Sequence, residues 1–214
     1  YRARGLQVSR DTAYLGHILS YIDQGVFADL TKEKLRTVGA QVELAPGMPH
    51  AMNRLRAVIS AEPRFVRHEI KVEHYIVSTG LRQMIEGNEI RRHVNGVWAC
   101  EFLSDPPGPG YRERLGQLQL TDRLTQVGYA LDNTSKTRAI FEINKGSNVE
   151  PGLDVNARMD ADDRRVPIEN MIYIADGPSD VPVFSVVGSG GGRTLGVWTD
   201  AANYMNVERL QDDG

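Results

Sequence analysis

Several features that mark whole classes of protein are missing from this sequence. It has one cysteine, Cys100, which excludes an internal disulfide and fits a reducing compartment. No run of 18 apolar residues occurs, so the sequence predicts no transmembrane helix. The net charge is −3, and acidic and basic residues are mixed along the chain, which argues against a dedicated nucleic-acid surface. We therefore expect a cytoplasmic globular protein that binds neither nucleic acid nor a membrane, in an oligomeric state that the sequence leaves open.

Three common kinds of site also find no support. The glycine-rich segment GSGGGR has no strand–GxxxxGK[ST]–helix context, so it predicts a flexible turn before a final strand rather than a phosphate-binding loop. Ser78 has no histidine and acid partner at a recognisable spacing, which excludes a serine hydrolase triad. Cys100 ends the apolar run VWA, so it is interpreted as a buried thiol rather than a nucleophile.

The most informative stretch that is present is MIYIADGPSDVPVFSVV, residues 171–187. Its apolar start predicts a buried strand, which ends at Asp176 and is followed four residues later by Asp180. Ligands of open α/β sheets bind at the carboxyl ends of the strands. Two hard oxygen donors there suit Mg²⁺, which prefers one or two carboxylates plus water and phosphate. The alternative is a strand followed by an ordinary acidic turn, since Asp-Gly is a common turn pair.

A second segment, VEHYIVSTGLRQMIEG, predicts a short strand over Tyr75–Val77 and a helix beginning near Leu81. Between them Ser78, Thr79 and Gly80 predict a tight turn. A hydroxyl and free amides before a helix can seat a phosphate, because the helix N-terminus leaves N–H groups unpaired. The simpler alternative is capping of the helix by Ser or Thr.

A third segment, YALDNTSKTRAIFEINKG, places Lys136 at the start of an amphipathic helix. A lysine in the first turn is unfavourable for the helix dipole, which makes sense if its ammonium points at an anion. An ordinary surface lysine is the alternative.

In this order, the three segments resemble the haloacid dehalogenase-like (HAD) superfamily. Their residues are also similar to those of a bacterial group related to phosphoserine phosphatase. YIVSTG matches its motif II with Ser78, NTSKT matches motif III with Lys136, and ADGPSD matches motif IV with Asp176 and Asp180. Ala175 stands where that motif usually has glycine, a mild departure. The resemblance covers roughly residues 40 to 200.

The resemblance implies an α/β fold, a Rossmann-like parallel sheet with helices on both faces, plus a small helical cap. We expect the cap in residues 1–44 and the HAD-like core in residues 45–214. Residues 103–128 read as a Pro- and Gly-rich loop and a possible antiparallel hairpin, and residues 147–167 as a surface excursion. The core elements are expected as strands near 70–77, 97–102, 171–175 and 194–198, and helices near 81–93, 137–144 and 179–187.

The function implied by the resemblance is that of a Mg²⁺-dependent phosphatase acting on a small phosphorylated metabolite through an aspartyl-phosphate. Ser78 and Lys136 would be catalytic, and with Thr79 and Gly80 they would bind the phosphate. Asp176 and Asp180 would hold the Mg²⁺. The alternatives are a non-catalytic HAD-like binding or regulatory module, or another phosphotransferase on the same fold.

One motif of the superfamily is absent. Motif I, an apolar strand ending in DxDxT/V, supplies the nucleophile, and no such strand is found from Tyr1 onward. The acidic stretch MDADD, residues 159–163, has no apolar strand before it, and Asp132 lies too close to Asp176 for the other motifs to fit between. We expect motif I upstream of Tyr1 in a longer protein, and we expect the chain as given to be inactive.

Overall fold

The structure is a computed structural model that describes residues 1–104, 108–113 and 122–198. It divides into two compact units, Tyr1–Ala130 and Leu131–Gly214, and both combine helices with strands. The protein therefore has the predicted mixed α/β character. The boundary predicted after residue 44 falls inside the first unit, and a separate cap stays a prediction.

The first unit begins with helices and continues into a sheet. Short 3-10 helices lie at Arg2–Arg4 and Glu89–His93. The α-helices and strands are α1 (Ala13–Asp23), α2 (Lys32–Gly39), α3 (His50–Ala61), α4 (Pro63–Arg67), β1 (Tyr75–Leu81), α5 (Arg82–Gly87), β2 (Gly96–Ser104) and β3 (Leu124–Tyr129).

The sheet of the first unit is mixed. Strand β1 pairs with β2 in parallel, as the alternation of strand and helix predicted, with Ser78 opposite Ala99. Strand β3 pairs with β2 in the antiparallel direction, with Glu101 opposite Tyr129. The wholly parallel sheet predicted for the core is therefore not what this unit contains. The second strand of the hairpin predicted near residues 117–131 corresponds to β3, which pairs with β2. The first strand of that hairpin falls largely in residues 114–121, which lie outside the described residues.

Helices α2 and α5 cross at two glycines. A Cβ atom on Gly39 would overlap the backbone of Met84, and one on Gly87 would overlap the backbone of Arg36. The Asn88 side chain donates from Nδ2 to the Gly39 carbonyl at 2.9 Å. Since no side chain separates the two backbones, the segment predicted as a cap is joined closely to the helix that follows β1.

The buried residues of the first unit include one cluster that lies between its helices and its sheet. The cluster consists of Ile90, Val94, Val97 and Ala99, with Leu44, Met48, Met52, Ile76 and Ile85 packed against it. Cys100 is completely buried, as its apolar neighbours predicted.

The second unit contains a parallel pair of strands and two helices. Its elements are α6 (Lys136–Lys145), β4 (Ile172–Ala175), α7 (Val181–Ser189) and β5 (Arg193–Gly196), with 3-10 helices at Ala161–Asp163, Ile168–Asn170 and Pro178–Asp180. Strands β4 and β5 are parallel, with Ile174 opposite Leu195. Ile140, Val183 and Val187 form the buried cluster between the helices and the strands.

Strand β4 differs from the fully buried strand that its apolar sequence predicted. Tyr173 packs against the cluster of the second unit, whereas Ile172 and Ile174 are 62% and 58% exposed. The reason is the period of two in a strand, which sends alternate side chains to opposite faces. Among the described residues, no helix is both long enough and apolar enough to cross a membrane.

Candidate functional site

Lys136 is the first residue of α6, where a tight turn fixes it. The Asp132 carboxylate accepts hydrogen bonds at Oδ1 from the backbone N–H and the hydroxyl of Ser135, both at 2.7 Å. These bonds lower the pKa of Asp132, because they favour its charged form. The Asp132 carboxylate therefore orders the turn that begins the helix.

The Lys136 side chain forms a buried ion pair with Asp180. Nζ lies 2.7 Å from Oδ1 of a residue 44 positions away, and the two side chains are only 5% and 6% exposed. Lys136 also donates to the Ser179 hydroxyl at 3.1 Å, and Ser179 in turn donates to Oδ2 of Asp180 at 3.1 Å. Two residues predicted for one site are therefore brought together. Neither partner is a surface charge, since each neutralises the other away from water.

A third partner of Asp180 is the hydroxyl of Tyr173, which donates to Oδ1 at 2.6 Å. Burial raises the pKa of Tyr173, and so do the hydrogen bond to Asp180 and the charges of Asp180 and Asp176. The phenol therefore stays neutral and acts as a donor. The sequence analysis missed Tyr173 and Ser179. The alternation along β4 was the available signal for Tyr173, because it places that side chain on the covered face.

Asp176 follows the last residue of β4 and is exposed, so its carboxylate is accessible at the strand end, as predicted. A hard, accessible oxygen donor of this kind fits Mg²⁺, which commonly takes one carboxylate and completes its shell with water and phosphate. Asp180 fits a direct ligand less well, because its carboxylate already accepts three hydrogen bonds. Among the described residues, no group of three or more His, Cys, Asp or Glu side chains is arranged to hold a metal ion.

The segment Ser78–Gly80 belongs to the first unit and differs from the predicted turn. All three residues lie within β1, where the pairing with β2 is irregular between Ser78 and Leu81. The Ser78 hydroxyl accepts a hydrogen bond from the Gly80 N–H at 3.0 Å. The Thr79 carbonyl accepts one from the Tyr14 hydroxyl at 2.7 Å. The predicted tight turn was wrong, because Ser78–Gly80 continue strand β1, with a local irregularity in its pairing to β2.

The convergence of Ser78 with Lys136, Asp176 and Asp180 stays a prediction, since Ser78 lies in one unit and the three others lie in the second. The roles predicted for Thr79 and Gly80 stay predictions for the same reason. Only the part of the predicted site formed by the second unit has a described geometry.

The glycine-rich segment forms the predicted turn, between α7 and β5. Gly191 has a φ of +83°, a conformation that favours glycine. A Cβ atom on Gly190 would lie 2.5 Å from the Ile168 side chain, and one on Gly192 would lie 2.6 Å from Val187. Close packing therefore explains these glycines, and a phosphate-binding role is not needed.

Comparisons with known proteins identify a relative of this chain. It is an uncharacterized protein of Borreliella burgdorferi, 37% identical over 188 residues, which are 87% of this chain and 64% of the relative. The chain thus spans less than two thirds of the length of that relative. No family model matches the chain. No solved structure matches it either.

Proposed function

We propose that this chain is part of a HAD-type, Mg²⁺-dependent phosphatase that hydrolyses a small phosphorylated metabolite. The observation that carries the proposal is the buried pair of Lys136 and Asp180. Asp180 follows four residues after Asp176, which lies at the carboxyl end of β4. The resemblance gave these three residues their roles from sequence alone. The buried ion pair supports the proposal because it brings two of these residues together across 44 residues of sequence.

Lys136 would bind a phosphoryl oxygen. An ammonium has three N–H donors, and those of Lys136 meet Asp180 and Ser179, which leaves one without a partner among the described residues. Asp180 supplies the counter-charge that holds the buried ammonium in place. A cation so placed stabilises the negative charge that spreads over the phosphoryl oxygens during transfer.

Asp176 would hold the Mg²⁺, and Asp180 would act through Lys136 rather than as a ligand. Bound Mg²⁺ supplies Lewis-acid neutralisation of the phosphoryl charge. The nucleophile would be the motif I aspartate of a longer protein. Its carboxylate oxygen would attack phosphorus, and the ester oxygen would take a proton from the acid two residues after the nucleophile in the resembled superfamily and leave as the product alcohol. Water would then give a proton back to that acid and attack phosphorus, which would release inorganic phosphate and restore the carboxylate.

The proposal is tested by a phosphate-release screen with the protein expressed from its natural start. Asp176→Asn removes one charge but little volume, and we expect it to lower kcat/KM by about 10²- to 10³-fold. Asp162→Asn is the matched control, because this exposed carboxylate lies in the acidic stretch that was rejected as motif I. It should keep parent activity.

Two results would contradict the proposal. Turnover in the Asp176 variant close to that of the parent would mean that the metal site lies elsewhere. A parent that releases no phosphate from any ester, yet binds inorganic phosphate, would favour the non-catalytic binding module.

A further inference from the structure

The two oxygens of the Asp180 carboxylate accept different numbers of hydrogen bonds. Oδ1 accepts from both Lys136 at 2.7 Å and Tyr173 at 2.6 Å, whereas Oδ2 accepts from Ser179 alone, at 3.1 Å, among the described residues. The two short bonds to one oxygen therefore fix the direction of the carboxylate. Because Lys136 is held mainly by that same oxygen, whatever orients Oδ1 also orients the ammonium.

Tyr173 is well placed to act as the fixed point of this arrangement. Its backbone belongs to β4, which pairs with β5, and its ring meets Phe184 edge-on at 5.9 Å between centroids. The ring also packs on the buried cluster of the second unit. By contrast, Ser179 lies in the short 3-10 helix Pro178–Asp180. The tyrosine hydroxyl is thus anchored by both a strand and a packed core.

We propose, on the basis of the phosphatase function above, that Tyr173 is a positioning residue for that reaction. Its hydroxyl holds Asp180, and through Asp180 it holds the Lys136 ammonium where a phosphoryl oxygen is bound. Tyr173 itself touches neither substrate nor metal. Loss of the hydroxyl leaves every catalytic group present but lets the ammonium move, so it lowers turnover more than substrate affinity.

The variant Tyr173→Phe removes the hydroxyl and keeps the packed ring. In the protein expressed from its natural start we expect kcat to fall by about 10-fold, because a hydrogen bond to a buried charged group is lost, while KM changes by less than about twofold. Tyr75→Phe is the matched control, since Tyr75 also donates to a carboxylate, Glu73, at 2.6 Å, but in the first unit. It should behave like the parent.

A readout that does not need catalysis is proton exchange at the lysine ammonium groups, followed by NMR of ¹⁵N-labelled Nζ. The Lys136 signal is identified by its loss in Lys136→Met. In Tyr173→Phe its exchange with water should become about 10-fold faster, since the ammonium leaves its buried site more often. Phe184→Leu loosens the packing of the Tyr173 ring but keeps the hydroxyl, so its effects on kcat and on the Lys136 exchange rate should be clearly smaller than those of Tyr173→Phe.

The possible results separate this role from the proposed function. A parent without phosphatase activity overturns the proposed function, and the catalytic role of Tyr173 with it. An active parent whose Tyr173→Phe variant has unchanged kcat, or unchanged exchange at Lys136, overturns only the positioning role. Equal losses in Tyr173→Phe and Phe184→Leu would assign the effect to packing and would also overturn it.

Discussion

The two regions predicted to bind phosphate satisfy their polar groups in different ways. In the first unit, Ser78 bonds to the N–H of Gly80, two residues away. In the second unit, Lys136 bonds to Asp180, 44 residues away, and both are buried. A short-range bond of the first kind forms in many strands and turns and carries little functional information. A buried charge pair is costly to form without good geometry, so the second region is the stronger candidate for a built site.

The first prediction concerns the buried pair and removes one of its two charges. Lys136→Met leaves Asp180 buried without its counter-charge, and we expect the free energy of unfolding to fall by about 3–5 kcal/mol. The double variant Lys136→Met/Asp180→Leu should recover part of that loss, since an apolar pair needs no counter-charge while the hydroxyls of Tyr173 and Ser179 lose their acceptor. Urea unfolding of the parent and the three variants, including Asp180→Leu alone, measures the recovery as a coupling energy.

The double variant also separates stability from function. It should be folded and yet inactive in the protein expressed from its natural start, because no ammonium remains. Additive losses in the two single variants, with no recovery in the double variant, would contradict a directly coupled pair.

The second prediction concerns the first unit, where the backbones of α2 and α5 pack directly against each other. Gly87→Ala places a Cβ atom against the backbone of Arg36, which no side-chain movement can relieve. We expect unfolding free energy to fall by about 1–3 kcal/mol, as for other overpacked sites. Gly16→Ala in α1 is the matched control. Its Cβ meets nothing within 4 Å, so it should stabilise the helix by roughly 0.5–1 kcal/mol.

Thermal unfolding followed by circular dichroism measures both glycine variants. Opposite signs are expected for the two substitutions. Stabilisation of the protein by Gly87→Ala would mean that α2 and α5 do not pack backbone to backbone.

The third prediction tests the short-range bond at Ser78. Ser78→Ala leaves the Gly80 N–H without its side-chain partner, so unfolding free energy should fall by about 1 kcal/mol. Ser78→Thr keeps the hydroxyl and should lose less. Urea unfolding of the two variants checks this. A loss of unfolding free energy as large as that of Lys136→Met would mean that Ser78 contributes more to stability than its bond to Gly80 explains.

Much of the local structure followed from the sequence for a simple reason. The positions of β1, α6, β4 and α7 depend on apolar spacing within a few residues, and that spacing is visible in the chain. Lys136 and Asp180 were also predicted, through the motifs that they occupy. The bulged end of β1 was not, because a strand irregularity at Ser78 and a turn need the same small and polar residues.

Other features that the sequence did not predict depend on contacts between separate segments. Tyr173 looks like any apolar strand residue until its hydroxyl meets Asp180 of the following 3-10 helix, a carboxylate that also binds Lys136 of α6. Gly39 and Gly87 look like helix ends until the two helices cross. In each case the role of the residue depends on the residue that packs against it in space, and a single sequence does not show which residue that is.

The smallest expected effect is a pH dependence at the turn that begins α6. The hydrogen bonds from Ser135 lower the pKa of Asp132 in the folded chain below the usual value of about 4. A carboxyl group with a lowered folded pKa stabilises the fold above its unfolded pKa, and this contribution is lost as the pH falls through the folded pKa.

The difference in unfolding free energy between the parent and Asp132→Ala should therefore be constant from about pH 7 to pH 5 and shrink below about pH 4. Urea unfolding at a series of pH values measures that difference. Asp162→Ala, which removes one exposed carboxylate from the 3-10 helix Ala161–Asp163, is the control for the loss of one negative charge. A difference for Asp132→Ala that grows below pH 4 would show that the fold favours the protonated acid. The turn would then be held by the backbone alone, and Lys136 would owe its position at the start of α6 only to the buried pair.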